Sequence, residues 1–207
     1  EVDHSAGLRI NGALSIAQTE GRWQELQRQA TTAQLYDVDI QILDKEQMKN
    51  KYPMMHTDNL KGGVLMPGDG AADPSGVTYM LAKGARLGGA KIFEQSPVET
   101  ILTKNGRVYG VRVNGQDIEC EYVVLATGMW SRQIGEKMGV SIPLYPAEHF
   151  YIITEPIENL SKTLPVIRDF DNRTYIKEDA GKILVGIFEG NSIPAWDKTN
   201  KVPEDFS

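Results

Sequence analysis

A chain of 207 residues suffices for one large domain or two small ones, and its mix of 41% apolar and 24% charged residues is that of a globular protein able to bury a core. The net charge of −6, with acidic and basic residues interspersed, offers no basic footprint, so nucleic acid and an anionic membrane are set aside as partners. Cys120 is the single cysteine, which excludes an internal disulfide and a thiolate metal cluster, and no apolar run reaches spanning length. The sequence opens at Glu1 without Met and stops at Ser207 amid polar residues, as an excised piece would.

Residues Gly12 to Ala17 alternate, with Ala13, Ser15 and Ala17 on one face and Leu14 and Ile16 on the other, which predicts a strand. From about Glu20 to Leu35 the spacing of Trp23, Leu26, Ala30 and Ala33 predicts a helix, with Trp23 a core anchor. Ile40, Ile42 and Leu43 read as a short strand, and Asp44 as the cap of a helix from Lys45 to Lys51 that Pro53 ends. His56 reads as a solvated histidine, having no second metal-type residue at ligand spacing. The segment from Gly62 to Ser75 is rich in turn formers and reads as a loop. Asp73 then caps a helix with Pro74 in its first position and Val77, Met80, Leu81, Ala82 and Ala85 as its apolar stripe, and Gly88-Gly89 stops it before a strand at Lys91 to Glu94.

The sharpest local signal lies between Val98 and Cys120, where Asn105-Gly106 and Asn114-Gly115 each separate runs of strand formers and predict a three-stranded meander. Tyr122 to Ala126 is an apolar run closed by Thr127-Gly128, a buried strand entering a tight turn; such strand ends build ligand sites in α/β proteins. On its own the pattern also fits an ordinary core strand. A short helix follows through Ile134 and Met138 to Gly139. Ala147 to Thr154, Thr174 to Lys177 and Ile183 to Phe188 predict an antiparallel sheet, the last two joined through Asp179-Ala180-Gly181, with Leu164 to Ile167 as a further candidate. His149 lies on one of its faces and Tyr175 can share that face. Read by themselves, such residues are as well explained by packing with one satisfied hydrogen bond.

Four stretches together resemble a known family: Gly12 to Ala17 with Arg22 beyond, Pro67 to Pro74 with its Ala- and Gly-rich helix, Val123 to Ser131, and His149 to Pro156 leading to Thr174–Glu178 and Gly186–Glu189. In this order they are similar to FAD-dependent amine oxidoreductases of the D-amino-acid-oxidase superfamily, most of all the dimethylglycine and sarcosine dehydrogenase branch. The resemblance implies a fold class of α/β (α+β): a partial FAD-binding layer with a β-meander plus a mixed or antiparallel-sheet substrate domain. It divides the chain into residues 1–66, the first segment of the substrate domain; 67–135, a partial FAD-binding domain with the meander at 98–120; and 136–207, the second segment of the substrate domain, an antiparallel sheet.

By the same resemblance Val98, Ala126, Thr127, Gly128 and Trp130 line FAD, while His149 and Tyr175 face the flavin from the substrate side as the catalytic pair. The implied activity of the full-length parent is oxidation of an N-methylated amino acid, dimethylglycine or sarcosine, by hydride transfer to FAD. A His-Tyr pair suits it, since the reaction needs a neutral amine lone pair and a group that accepts or relays a proton. The Gly-x-Gly-x-x-Gly turn that cradles the FAD pyrophosphate has no match here, so FAD is expected in the parent and not held tightly by these residues alone. His4-Ser5-Ala6-Gly7 resembles the family's flavin-attachment stretch but stands too close to Gly12, and we set it aside. A small methylated amine is the expected partner, with a folate-binding module in the parent chain and the electron acceptor undetermined. The expected compartment is cytoplasmic in a bacterium and the mitochondrial matrix in a eukaryote. The alternatives are a 2-hydroxy-acid or glycerol-phosphate oxidoreductase using Arg168, Arg173 or Lys177, and a non-catalytic binding module that has lost its cofactor.

Overall fold

The structure is a computed structural model, and it describes residues 5–196 and 201–203. His4, set aside above, lies outside the described residues. The N-terminal half of the chain runs β1 (Ala13–Ala17), α1 (Glu20–Gln34), β2 (Gln41–Leu43), α2 (Lys45–Lys51), β3 (Gly62–Met66) and α3 (Pro74–Leu87). Then come β4 (Val98–Lys104), β5 (Arg107–Val113), β6 (Gln116–Glu119), a 3-10 turn (Gly128–Trp130) and α4 (Ser131–Lys137). The last strands are β7 (Phe150–Ile153), β8 (Val166–Asp169), β9 (Thr174–Asp179) and β10 (Lys182–Ile187). No helix among the described residues is long and apolar enough to cross a membrane. Two compact units result, Glu1–Ala90 with His149–Gly190, and Lys91–Glu148 with Asn191–Ser207.

The first unit is built on a seven-stranded mixed sheet in the order β2-β3-β1-β8-β9-β10-β7. Every neighbouring pair is antiparallel except β1 and β8, which run parallel. The alternation read in β1 places its two faces in two cores. Leu14 and Ile16 meet Leu43, Met48, Leu65 and Ile167, whereas Ala17 meets Val64 and the α1 residues Leu26 and Ala30, with Trp23 packed alongside. Local chemistry fixes the helix starts. Thr19 accepts the Arg22 N–H, Asp44 and Gln47 form a reciprocal capping box, and the Asp73 carboxylate takes the Ser75 and Gly76 N–H groups ahead of α3.

Two expectations fail in this unit. Residues Gly62–Met66 form β3, paired on both sides, where the turn-forming composition predicted a loop. Gly62 and Gly63 serve close packing: a Cβ would stand 2.5 Å from the Trp23 ring at Gly62 and 2.5 Å from the Met48 sulfur at Gly63. The stripe on α3 is also less buried than its spacing predicts. Only Gly76 of that helix is buried, and Leu81 is exposed.

The second unit holds the meander β4-β5-β6, as the two Asn-Gly pairs predict. Asn105, Gly106, Asn114 and Gly115 all have positive φ, the geometry that joins twisted antiparallel strands through two residues. Arg112 and Asp117, opposite each other in the register, form an ion pair across β5 and β6. The strand expected at Lys91 to Glu94 does not form, and neither does the one at Tyr122 to Ala126. The second stretch keeps an alternating exposure pattern, Tyr122 and Val124 outward at 84% and 86%, but pairs with no strand among the described residues. A β-strand is stabilised by its ladder and cross-strand contacts, so β propensity without a neighbour leaves an extended chain.

Candidate functional site

His149 and Tyr175 come together in the first unit. The register sets Gly186 of β10 between Tyr151 of β7 and Tyr175 of β9, and the next step along brings His149 beside Phe188. The Phe188 ring meets the His149 ring edge-on at 5.2 Å and the Tyr175 ring at 5.6 Å. Tyr175 lies over Gly186, which has no side chain to push it away. Glu189 accepts a hydrogen bond from His149 Nδ1 at 2.9 Å. Its carboxyl is held below the ordinary carboxylate range by its own backbone N–H and His149, with the Phe150 N–H adding to the effect. Arg173 closes the group, its carbonyl accepting the Phe188 N–H and its guanidinium lying over Gly190.

A proton acceptor, a phenol and an aromatic floor on one sheet face can orient an amine and take up its proton. Sequence reasoning named His149 and Tyr175 and quoted Gly186 to Glu189 without giving those residues a role. The missing signal was register, because the contact partners of His149 follow only once β7 is paired to β10. Of the three cations considered for a phosphate or carboxylate, Arg173 stands at this group and the other two lie elsewhere. Arg168 pairs with Asp69 at 2.9 Å, and Lys177 lines a cleft of about 420 Å³ with Arg9, Asp73 and Asp179.

The five cofactor candidates lie in the second unit. Val98 opens β4, half-exposed, beside a crevice it shares with Ile134 of α4 and Met138 just after that helix. Ala126 ends the unpaired extended stretch. The Thr127 hydroxyl bonds the Ser131 hydroxyl at 3.0 Å, and Gly128 turns with φ +52° and open space where a Cβ would point. Trp130 donates its indole N–H to the Pro203 carbonyl at 2.5 Å, and Gln133 bonds both backbone groups of Val202. Backbone without a ladder partner and an open glycine fit one wall of a flavin site. The N-terminus of α3, which follows a Gly-rich loop, does not fit the pyrophosphate, since the Asp73 carboxylate caps it and Pro74 removes a donor.

A mixed seven-stranded sheet with a separate three-stranded meander is a fold that this chain shares with solved flavoenzymes. Residues 1–206 match the family model described as FAD dependent oxidoreductase, DAO, and the chain belongs to that family. It is 36% identical over 197 residues to 4-methylaminobutanoate oxidase (formaldehyde-forming) of Paenarthrobacter nicotinovorans, covering 93% of this chain and 24% of that protein. Human mitochondrial sarcosine dehydrogenase is 32% identical over 209 residues, covering 97% and 22%. Among solved structures, L-proline dehydrogenase from P. horikoshii superposes with a TM-score of 0.83 at 27% identity, over 92% of this chain and 51% of that one. The chain thus spans about a quarter of the length of the curated relatives it matches.

Proposed function

We propose that this chain is a segment of an FAD-dependent oxidoreductase that oxidises N-methylated amino acids of the dimethylglycine and sarcosine class. The observation that carries the reading is the His149–Phe188–Tyr175 cluster, a proton acceptor and a phenol held over one aromatic floor. The two named relatives support the substrate class, since 4-methylaminobutanoate and sarcosine both carry an N-methyl amine.

In this reading Val98, Ala126, Thr127, Gly128 and Trp130 hold one portion of FAD, which when bound supplies the hydride acceptor. His149 takes the proton of the bound ammonium group, freeing the nitrogen lone pair, and Tyr175 orients the amine by hydrogen bonding. Residues 1–66 and 136–207 contribute to the substrate domain and 67–135 to the FAD-binding domain. A folate-binding module in the same polypeptide belongs to the proposal, and the compartment follows the host, bacterial cytoplasm or mitochondrial matrix. Arg168 is paired with Asp69, and Arg173, beside the His149–Tyr175 group, can take the carboxylate that dimethylglycine, sarcosine and a 2-hydroxy acid share, so the substrate panel decides between these readings.

The test is the flavin spectrum of the full-length protein under anaerobic conditions. Dimethylglycine or sarcosine is expected to bleach it, whereas 2-hydroxy acids and glycerol phosphate leave it yellow. A protein that binds no flavin, or one reduced only by a hydroxy compound, overturns the proposal.

A further inference from the structure

We infer that Glu189 is a positioning residue that fixes the proton of neutral His149 on Nδ1 and makes Nε2 the nitrogen that exchanges a proton with the amine. The inference rests on the proposed amine oxidation and adds to it a residue to which sequence reasoning assigned no role. The 2.9 Å contact joins His149 Nδ1 to Glu189 Oε2, and an ionised carboxylate can only accept, so Nδ1 must donate. The neutral imidazole bonded in this way carries its lone pair on Nε2.

Two further contacts make the arrangement specific. Phe188 packs edge-on against the imidazole and so limits its rotation, and Phe188 and Glu189 are consecutive, so one short stretch of chain supplies both the floor and the acceptor. The backbone N–H groups of Glu189 and Phe150, together with His149, lower the pKa of this carboxyl and so favour the ionised, accepting form. When the substrate N–H bond breaks, the Nε2–H bond forms and the resulting imidazolium stands beside a negative charge. Among the described residues, other titratable groups near His149 include Tyr175 from β9 and Tyr151 from β7, with Arg173 at the entry to β9 and Glu148 preceding His149 in sequence.

The test uses the FAD-loaded full-length protein with Glu189→Gln, Glu189→Ala and His149→Ala. Removing the charge is expected to lower flavin reduction roughly tenfold at constant KM. The double variant His149→Ala/Glu189→Gln is expected to be no slower than His149→Ala alone, because Glu189 acts through His149. Nitrogen NMR of labelled histidine gives a readout free of turnover: His149 is expected as the Nδ1–H tautomer, shifting toward Nε2–H in Glu189→Ala. Additive losses in the double variant, or an Nε2–H tautomer in the unmodified protein, would each overturn the inference. If the unmodified protein oxidises no N-methyl amine, the functional reading falls, while the nitrogen shifts still decide whether Glu189 sets the tautomer.

Discussion

Tyr175 occupies the space that a side chain at Gly186 would need: a Cβ there would collide with Cε1 and Cζ of the ring and lie 2.5 Å from its hydroxyl. The two residues are opposed in the register of β9 and β10, so the glycine decides where the phenol rests. Gly186→Ala must therefore swing the ring off the sheet. Since the atoms in the way are the outer edge of a side chain that can rotate, the expected stability loss is only about 1 kcal/mol. Flavin reduction by the amine is expected to fall by about 10- to 100-fold, because the hydroxyl leaves its working position. A urea titration and anaerobic stopped-flow reduction check the two halves; normal reduction in a variant with the expected stability would remove Tyr175 from the site.

His149→Ala separates chemistry from folding. The side chain is 40% exposed and lies just before the edge strand β7, so stability is expected to change by no more than about 0.5 kcal/mol. Loss of a positioned base is expected to slow flavin reduction on the order of 100-fold. A reduction rate equal to that of the unmodified protein would refute the catalytic role.

The elements legible in the sequence are those whose signal is local. Asn105-Gly106 and Asn114-Gly115 define the meander because positive φ at both central residues selects a two-residue hairpin, and Ala180-Gly181, also with positive φ, joins β9 to β10 in the same way. Asp44 and Asp73 announce α2 and α3 because a capping carboxylate acts within three residues. β3 was illegible because Gly62-Gly63 has the composition of a turn, and only the positions of Trp23 and Met48 reveal why those residues must be small. The parallel pairing of β1 with β8 joins segments about 150 residues apart and leaves no local trace. Of the candidate site, His149 and Tyr175 were legible through the motifs that carry them, while the roles of Gly186 and Glu189 depend on strand register.

The unpaired stretch 122–127 yields a prediction of its own. Val124 is 86% exposed, so Val124→Ser is expected to leave the unfolding midpoint of the 207-residue chain unchanged within about 0.5 kcal/mol. In the FAD-loaded full-length protein the same substitution is expected to lower the temperature at which flavin is released, because Val124 lies two residues before the proposed cofactor turn Ala126-Thr127-Gly128. Fluorescence of flavin released on heating measures this directly, and an unchanged release temperature would refute a cofactor role for the segment.

Glu178 contributes to the acid stability of the first unit. Its side chain is 1% exposed and accepts the Gly181 N–H at 2.7 Å as well as the Arg9 guanidinium. Burial alone would push its pKa up, but the Gly181 N–H, Arg9 and, more weakly, Lys162 together hold it below the ordinary value. A carboxyl depressed in the folded state contributes stability that is fully present above the unfolded pKa, about 4.3, and is lost as pH falls through the lower folded value. Glu178→Gln is accordingly expected to destabilise the protein by about 1–3 kcal/mol at pH 7, where the ionised partner is missing. The gap to the unmodified protein is expected to narrow as pH falls from about 5 toward 3. Urea midpoints measured across that range decide the matter: parallel curves for the two proteins would show that Glu178 is not the group whose protonation weakens the fold.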